Sequence, residues 1–298
     1  MASVAIVGVG AIGGVLAALL EATGKHQITV CTRRPMAALT VHTPDGVIAM
    51  KAKNLTDPGL AEAVDWVLVA TKTYDTAGAA AWLPGLCAQG ARVAVVQNGV
   101  EHRERFAGSL SQERILPVII DCQVERRPDG GVTQRNGARM VVETGAAGRE
   151  FAALFAGSKA DVQLTEDFLS AAWRKLVFNA AGVVCALVSE PSGVLHDDAL
   201  GALAVGISAE CAAVARAEGA RLEEGIAQRV LEGYRAQPAD SVNSMLADRV
   251  AGRPMELDAR NGVIVRKGDQ HGVATPLNRM AVALLSHHRG SSLFADTP

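Results

Sequence analysis

The chain has 298 residues, 49% apolar and 20% charged, which supplies enough apolar side chain for two domains or one large one and excludes a mainly disordered protein. With 29 Lys and Arg against 31 Asp and Glu the formal net charge is -2, so no global basic field exists to hold nucleic acid or an anionic membrane, and 4% aromatic content leaves few platforms for stacking bases. The five cysteines, Cys31, Cys87, Cys122, Cys185 and Cys211, form no CxxC pair and no Cys/His set at ligand spacing, so they read as reduced core thiols of a cytoplasmic protein with no metal site.

Residues Val4 to Leu20 carry no charge, which superficially suits a signal peptide or a membrane span. No Lys or Arg precedes them, and Gly8, Gly10, Gly13 and Gly14 interrupt what would have to be a continuous run of helix formers. The run divides better into a strand, Val4–Val7, the turn GVGAIG at 8–13, and a helix to about Ala22 closed by Gly24. A second strand at Ile28–Cys31 completes a beta-alpha-beta unit of the length that binds dinucleotides. Gly8 then serves the tight turn, Gly10 lets a pyrophosphate approach bare backbone, Gly13 lets helix and strand pack closely, and the amides of Ala11 and Ile12 open the helix toward the phosphates.

The second strand ends in Thr32-Arg33-Arg34 and offers no carboxylate for a ribose 2'-hydroxyl; a guanidinium there suits the additional 2'-phosphate of NADP (NADPH). Lys72 follows a third strand, Trp66–Ala70, at the same carboxyl edge, and Asn98 follows a fourth, Arg92–Val96, where its amide can serve nicotinamide or substrate. Solvated arginines and an ordinary Asn-Gly turn are the bland alternatives at these positions. Further strands are expected over Ile115–Val124, Met140–Glu143 and Val162–Leu164, with a hairpin around Pro128 to Gly131 and a helix over Arg149–Phe155. A domain of residues 1–166 results, a Rossmann-like doubly wound alpha/beta fold.

From residue 167 to 290 the periodicity is helical throughout. Helices are expected over Phe168–Leu187, Ala199–Ala217, Glu223–Ala236, a stretch after Gly252 with Pro254 in its first turn running to His271, and Pro276–His288; residues 291–298 read as a disordered tail. Lys175 and Asn179 lie one turn apart on the first of these, so they share a face. Glu256 falls in the first turn of the helix after Gly252, where an acid also suits the helix dipole.

The blocks GVGAIG at 8–13, TRR at 32–34, TK at 71–72, QNG at 97–99, WRKLVFNAAG at 173–182 and SMLADRVAGRPMELDARNG at 244–262 together resemble the ketopantoate reductase (2-dehydropantoate 2-reductase) family, in order and spacing, up to about residue 289. The resemblance implies NADPH-dependent reduction of a 2-oxo acid to a 2-hydroxy acid in pantothenate biosynthesis. It also implies Lys175 as general acid, Glu256 orienting it or holding a substrate hydroxyl, and Asn98, Asn179 and Ser244 binding substrate. The chemistry agrees, because a lysine ammonium can stabilise and protonate the alkoxide formed when hydride reaches a carbonyl carbon. Neutral donors such as Ser244 and Asn179 would hold the substrate carboxylate without a second cation to depress the lysine.

Three segments depart from the family pattern. Gly182-Val183 replaces a second amide, Ser192 replaces an Asn after Pro191, and Ile119 to Gln123 is less rich in hydroxyls. A same-fold reductase for a different 2-oxo acid is therefore one alternative reading, and a non-catalytic NADPH-binding sensor another. Exposed faces of the C-terminal helices could also serve a homodimer.

Overall fold

A computed structural model describes residues 1–36, 38–50, 52–127 and 129–287; Pro128 of the expected hairpin and the expected tail, 291–298, lie outside the described residues. Contacts divide the chain into two units: the first is Met1–Gln97 with Glu101–Phe168, and the second is Asn98–Val100 with the chain from Leu169 onward.

The first unit is built on strands β1 (Ser3–Val7), β2 (Gln27–Cys31), β3 (Leu39–Thr43), β4 (Gly46–Met50), β5 (Lys53–Leu55), β6 (Trp66–Val69), β7 (Arg92–Val95), β8 (Ile115–Asp121), β9 (Val124–Arg126), β10 (Val132–Gln134), β11 (Arg139–Glu143) and β12 (Asp161–Thr165). Eight form one sheet in the order β12-β11-β8-β7-β6-β1-β2-β5. It is parallel from β5 to β8, while β11 pairs antiparallel with β8 and parallel with β12. Alternate side chains feed two cores: Val4, Ile6, Leu68 and Ala94 enter one, and Ala5, Val7, Val67, Val69, Val93 and Val95 the other. Both faces are covered, which is why these strands read as continuous apolar runs.

Helix α1 (Ala11–Glu21) explains the charge-free opening. Residues Gly13 to Leu20 are all buried, because a second sheet, β4-β3-β10-β9, packs on the helix. A Cβ on Gly14 would stand 3.1 Å from the Val132 side chain of that sheet. Of the four-stranded sheet the sequence expectations contain only the hairpin around residues 128–131, where β9 and β10 pair antiparallel; the strands of the sheet have three to five residues and lie among turns. The expected strand 115–124 also divides, ending in the large sheet at Asp121 and resuming in the small one at Val124. Short helices α2 (Thr76–Ala80) and α3 (Leu83–Leu86) and the longer α4 (Ala146–Leu154) complete the unit.

The second unit is helical: α5 (Phe168–Ala181), α6 (Val183–Val188), α7 (Asp198–Ala217), α8 (Ile226–Arg235), α9 (Ser244–Val250), α10 (Val263–His271) and α11 (Pro276–Ser286). Trp173, Leu176, Val177 and Ala180 of α5 join Ile207, Cys211 and Val214 of α7 in its core. Phe168–Val188 and Asp198–Ala217 are long and apolar enough to cross a membrane by length and composition, but 61% and 44% of their apolar windows are buried in this unit.

Two helix expectations are corrected. The single helix 168–187 breaks at Gly182, where a Cβ would lie 2.6 Å from the Tyr234 hydroxyl and 3.0 Å from the Asn243 amide. The helix expected from Pro254 begins only at Leu257, opens with a wide π turn over Asp258–Gly262, and continues as α10. Glu256 therefore precedes the helix and does not lie in its first turn. The described cysteines carry no disulfide, and burial pushes the Cys31 thiol up to about 12, so it is no nucleophile.

Candidate active site

In the first unit the turn after β1 has the shape of a phosphate cradle. Gly8 takes φ +90°, and a Cβ there would strike Thr71 at 2.5–2.8 Å, so the turn packs directly on the residue before Lys72. A Cβ on Gly13 would stand 2.2 Å from the Gly8 carbonyl oxygen, whereas one on Gly10 meets the Arg126 guanidinium no closer than 3.7 Å. Gly10 caps α1 without a side-chain hydrogen bond, which leaves the helix N–H groups to a ligand. These residues fit a dinucleotide pyrophosphate. Gly13→Ala is expected to destabilise the unit by about 1–3 kcal/mol through forced overpacking, measured as a lower Tm with loss of dinucleotide binding.

β2 and β6 flank β1, so their carboxyl ends bring Arg33 and the Lys72 loop to the same edge. Arg33 is 86% exposed at its side chain and reaches Asp75 at 3.9 Å. Its loop is pinned by Asn54, whose amide donates to the Val30 carbonyl (3.2 Å) and Thr32 Oγ1 (2.7 Å) and accepts from the Met36 N–H (2.8 Å). Two residues escaped the sequence reading here. Asn54 is an unremarkable amide in a short edge strand, and Arg126 arrives from β9 to donate to the Val9 carbonyl at 3.0 Å.

The remaining candidates lie in the second unit. Although β7 ends at Val95 and Gln97 still belongs to the first unit, Asn98–Val100 belongs to the helical unit by its contacts, and Gly99 at φ +96° lets the backbone approach to where a Cβ would be 2.7 Å from the Ala259 carbonyl oxygen. The Asn98 amide donates to Glu256 Oε2 at 2.9 Å, joining residues 158 apart in sequence. Glu256 is 5% exposed, while Lys175 and Asn179 on α5 are half-buried. Ser244 is the first residue of α9, exposed, behind the N-cap Asn243, whose side-chain oxygen accepts from the Met245 and Leu246 N–H groups. The Asn243 amide also donates to the Gly182 carbonyl at 3.0 Å, so it ties the break after α5 to the start of α9.

A second cation stands here, contrary to the expectation of neutral donors alone. Arg260, buried in the π turn, donates from Nη2 to the Asn179 carbonyl and from Nη1 to Ser244 Oγ at 3.3 Å. Burial pushes its guanidinium down from the usual arginine range, opposed by Tyr234, Glu256, Asp248 and Cys185. Its neighbour Asn261 is fully buried and donates to the Ala180 carbonyl and to Asn278. The π turn buries Ala259, Arg260, Asn261 and Gly262 in succession, an arrangement whose only sequence signal was the ARNG string at 259–262 inside an apparently regular helix. The second unit thus gathers an ammonium-bearing helix face, a buried carboxylate, two amides, a hydroxyl and a guanidinium.

Comparison with known proteins gives concordant matches. The family profile described as "Ketopantoate reductase PanE/ApbA" matches residues 4–147, and "Ketopantoate reductase PanE/ApbA C terminal" matches residues 167–289. A "2-dehydropantoate 2-reductase" of Caulobacter vibrioides is 48% identical over 286 residues, covering 96% of this chain and 99% of that protein. One from Mycobacterium tuberculosis is 40% identical over 285 residues, covering 95% and 96%. Among solved structures, a PanE/ApbA family ketopantoate reductase from Ralstonia eutropha JMP134 superposes with a TM-score of 0.87 at 31% identity, covering 95% of this chain and 97% of that one.

Proposed function

The chain belongs to the ketopantoate reductase family, and we propose that it reduces 2-dehydropantoate to pantoate with NADPH, a step of pantothenate biosynthesis. It is an oxidoreductase acting on CH–OH groups and uses a nicotinamide cofactor. The observation that carries the residue assignment is the bond from Asn98 to Glu256, which unites the strand-end amide and the buried carboxylate in the unit that also bears Lys175.

When bound, the nicotinamide supplies a hydride to the substrate carbonyl carbon. Gly8, Gly10, Gly13 and the amides of Ala11 and Ile12 hold the pyrophosphate, and Arg33 and Lys72 take the 2'-phosphate. Lys175 Nζ donates a proton to the carbonyl oxygen as it gains negative charge. Glu256 balances the positive charge of the site and fixes the Asn98 amide, which turns its remaining hydrogen-bonding capacity to nicotinamide or substrate. Asn179 and Ser244 hold the acid, with Ser244 presented at an exposed helix start.

The second reading, a different 2-oxo acid, is favoured by Gly182: Tyr234 and Asn243 fill the space a side chain would need there, so the position contributes no amide of its own. Steady-state kinetics of NADPH oxidation on ketopantoate and a panel of 2-oxo acids test both readings. Ketopantoate is expected to show the highest kcat/KM, and turnover of another acid at higher kcat/KM overturns it. Arg33→Ala is expected to raise KM for NADPH by about 10- to 100-fold, the scale of losing a charge-assisted phosphate contact, while leaving KM for NADH within about twofold. An equal change with both cofactors overturns the 2'-phosphate assignment.

A further inference from the structure

A buried polar donor ordinarily has an acceptor, yet Arg260 is 3% exposed and its Nε–H has no partner among the described residues. Its other nitrogens are engaged, Nη1 with Ser244 Oγ at 3.3 Å and Nη2 with the Asn179 carbonyl. A guanidinium can only donate. The Ser244 oxygen is therefore an acceptor on its inner side, and its own O–H is left to find an acceptor elsewhere. Ser244 is exposed, so that proton is accessible from solvent. The anions that stabilise Arg260 are already shared, Glu256 with the Asn98 amide and Asp248 with Arg253 at 2.9 Å. The guanidinium thus stands buried directly behind Ser244, and Lys175 lies on the same helix as Asn179, one turn before it.

We infer that Arg260 is a specificity-determining residue for an anionic substrate: it makes the Ser244 hydroxyl an outward donor and sets a fixed positive charge behind it, so that the site selects a 2-oxo carboxylate over a neutral ketone. The inference rests on the reductase reading above. Arg260 acts through Ser244 and the Asn179 end of α5, and is a positioning residue in this sense. The same grip holds the end of α5 one turn beyond Lys175.

The test uses the full chain saturated with NADP, titrated calorimetrically with pantoate and with its neutral amide, alongside steady-state kinetics on ketopantoate. Arg260→Gln is expected to weaken pantoate by at least about tenfold, a difference of 1.4 kcal/mol, and to change the amide by less than about twofold. KM for ketopantoate should rise with kcat nearly retained, Arg260→Lys should recover part of the loss, and Ser244→Ala should add little on the Arg260→Gln background, as expected for residues acting as one unit. Equal losses for acid and amide, or unchanged affinity for both, overturn the role of Arg260. If Arg260→Gln lacks a cooperative thermal transition, Arg260→Lys carries the same acid-against-amide comparison. A wild-type chain that binds neither pantoate nor any 2-hydroxy acid overturns the reductase reading itself, whereas wild-type binding that survives Arg260→Gln overturns this inference alone.

Discussion

Replacing Lys175 with alanine is expected to lower kcat on the 2-oxo acid by about 10²- to 10⁴-fold, the range over which general acid catalysis acts. NADPH affinity should stay within about threefold, because the phosphate cradle lies wholly in the other unit. Lys175 lies on α5 one turn before Asn179, whose carbonyl Arg260 grips close to where the helix ends. Lys175→Arg separates two contributions. A guanidinium keeps the positive charge that stabilises the alkoxide, but as a far weaker acid than an ammonium it gives up a proton poorly. Arginine should therefore rescue only a small part of kcat. Single-turnover measurement of NADPH oxidation reads the chemical step directly, and near-wild-type turnover of Lys175→Ala would remove the assigned mechanism.

Glu256→Ala is the second large effect, and it should appear in stability as well as rate. The carboxylate is 5% exposed, accepts from Asn98 at 2.9 Å, and is one of the groups that keep the buried Arg260 charged. Removing one member of a buried charged set leaves the others desolvated and uncompensated, a cost of about 3–5 kcal/mol. That corresponds to a fall in Tm of roughly 6–20 °C at about 2–4 °C per kcal/mol. Glu256→Gln retains the side-chain volume and a carbonyl oxygen for the Asn98 amide but not the charge, so it should lose most of the same stability as well as activity. Thermal unfolding of both variants together with kcat/KM decides the matter: equal stability loss in Gln and Ala assigns the effect to the missing charge, whereas a loss confined to Ala assigns it to packing and the Asn98 hydrogen bond.

The strongly periodic parts were legible in sequence because their signals are local. Strands buried on both faces must be apolar throughout, and a glycine turn between strand and helix has few alternatives once phosphate approach and close packing are both required. The apolar stripes of α7 and α11 and the spacing of Lys175 and Asn179 likewise follow from the helical period alone. Apart from its β9–β10 hairpin the four-stranded sheet was not legible, since strands of three to five residues held by α1 carry too little period of their own. Nor was the break at Gly182: Tyr234 and Asn243 exclude a side chain there from far along the chain, and a single glycine inside a helical pattern does not announce this.

The amino-acid sequence by itself determined the order of the two units, the glycine turn between β1 and α1 and the residue types offered for chemistry, because each depends on neighbours within a turn or a strand. Only the tertiary structure decided that Asn98 meets Glu256 across 158 residues, that Arg126 lies over the glycine turn, and that a π turn drives Arg260 beneath Ser244 and Asn179. Those contacts depend on packing between distant elements and on where an otherwise costly buried charge finds its partners, and neither quantity is written in local periodicity.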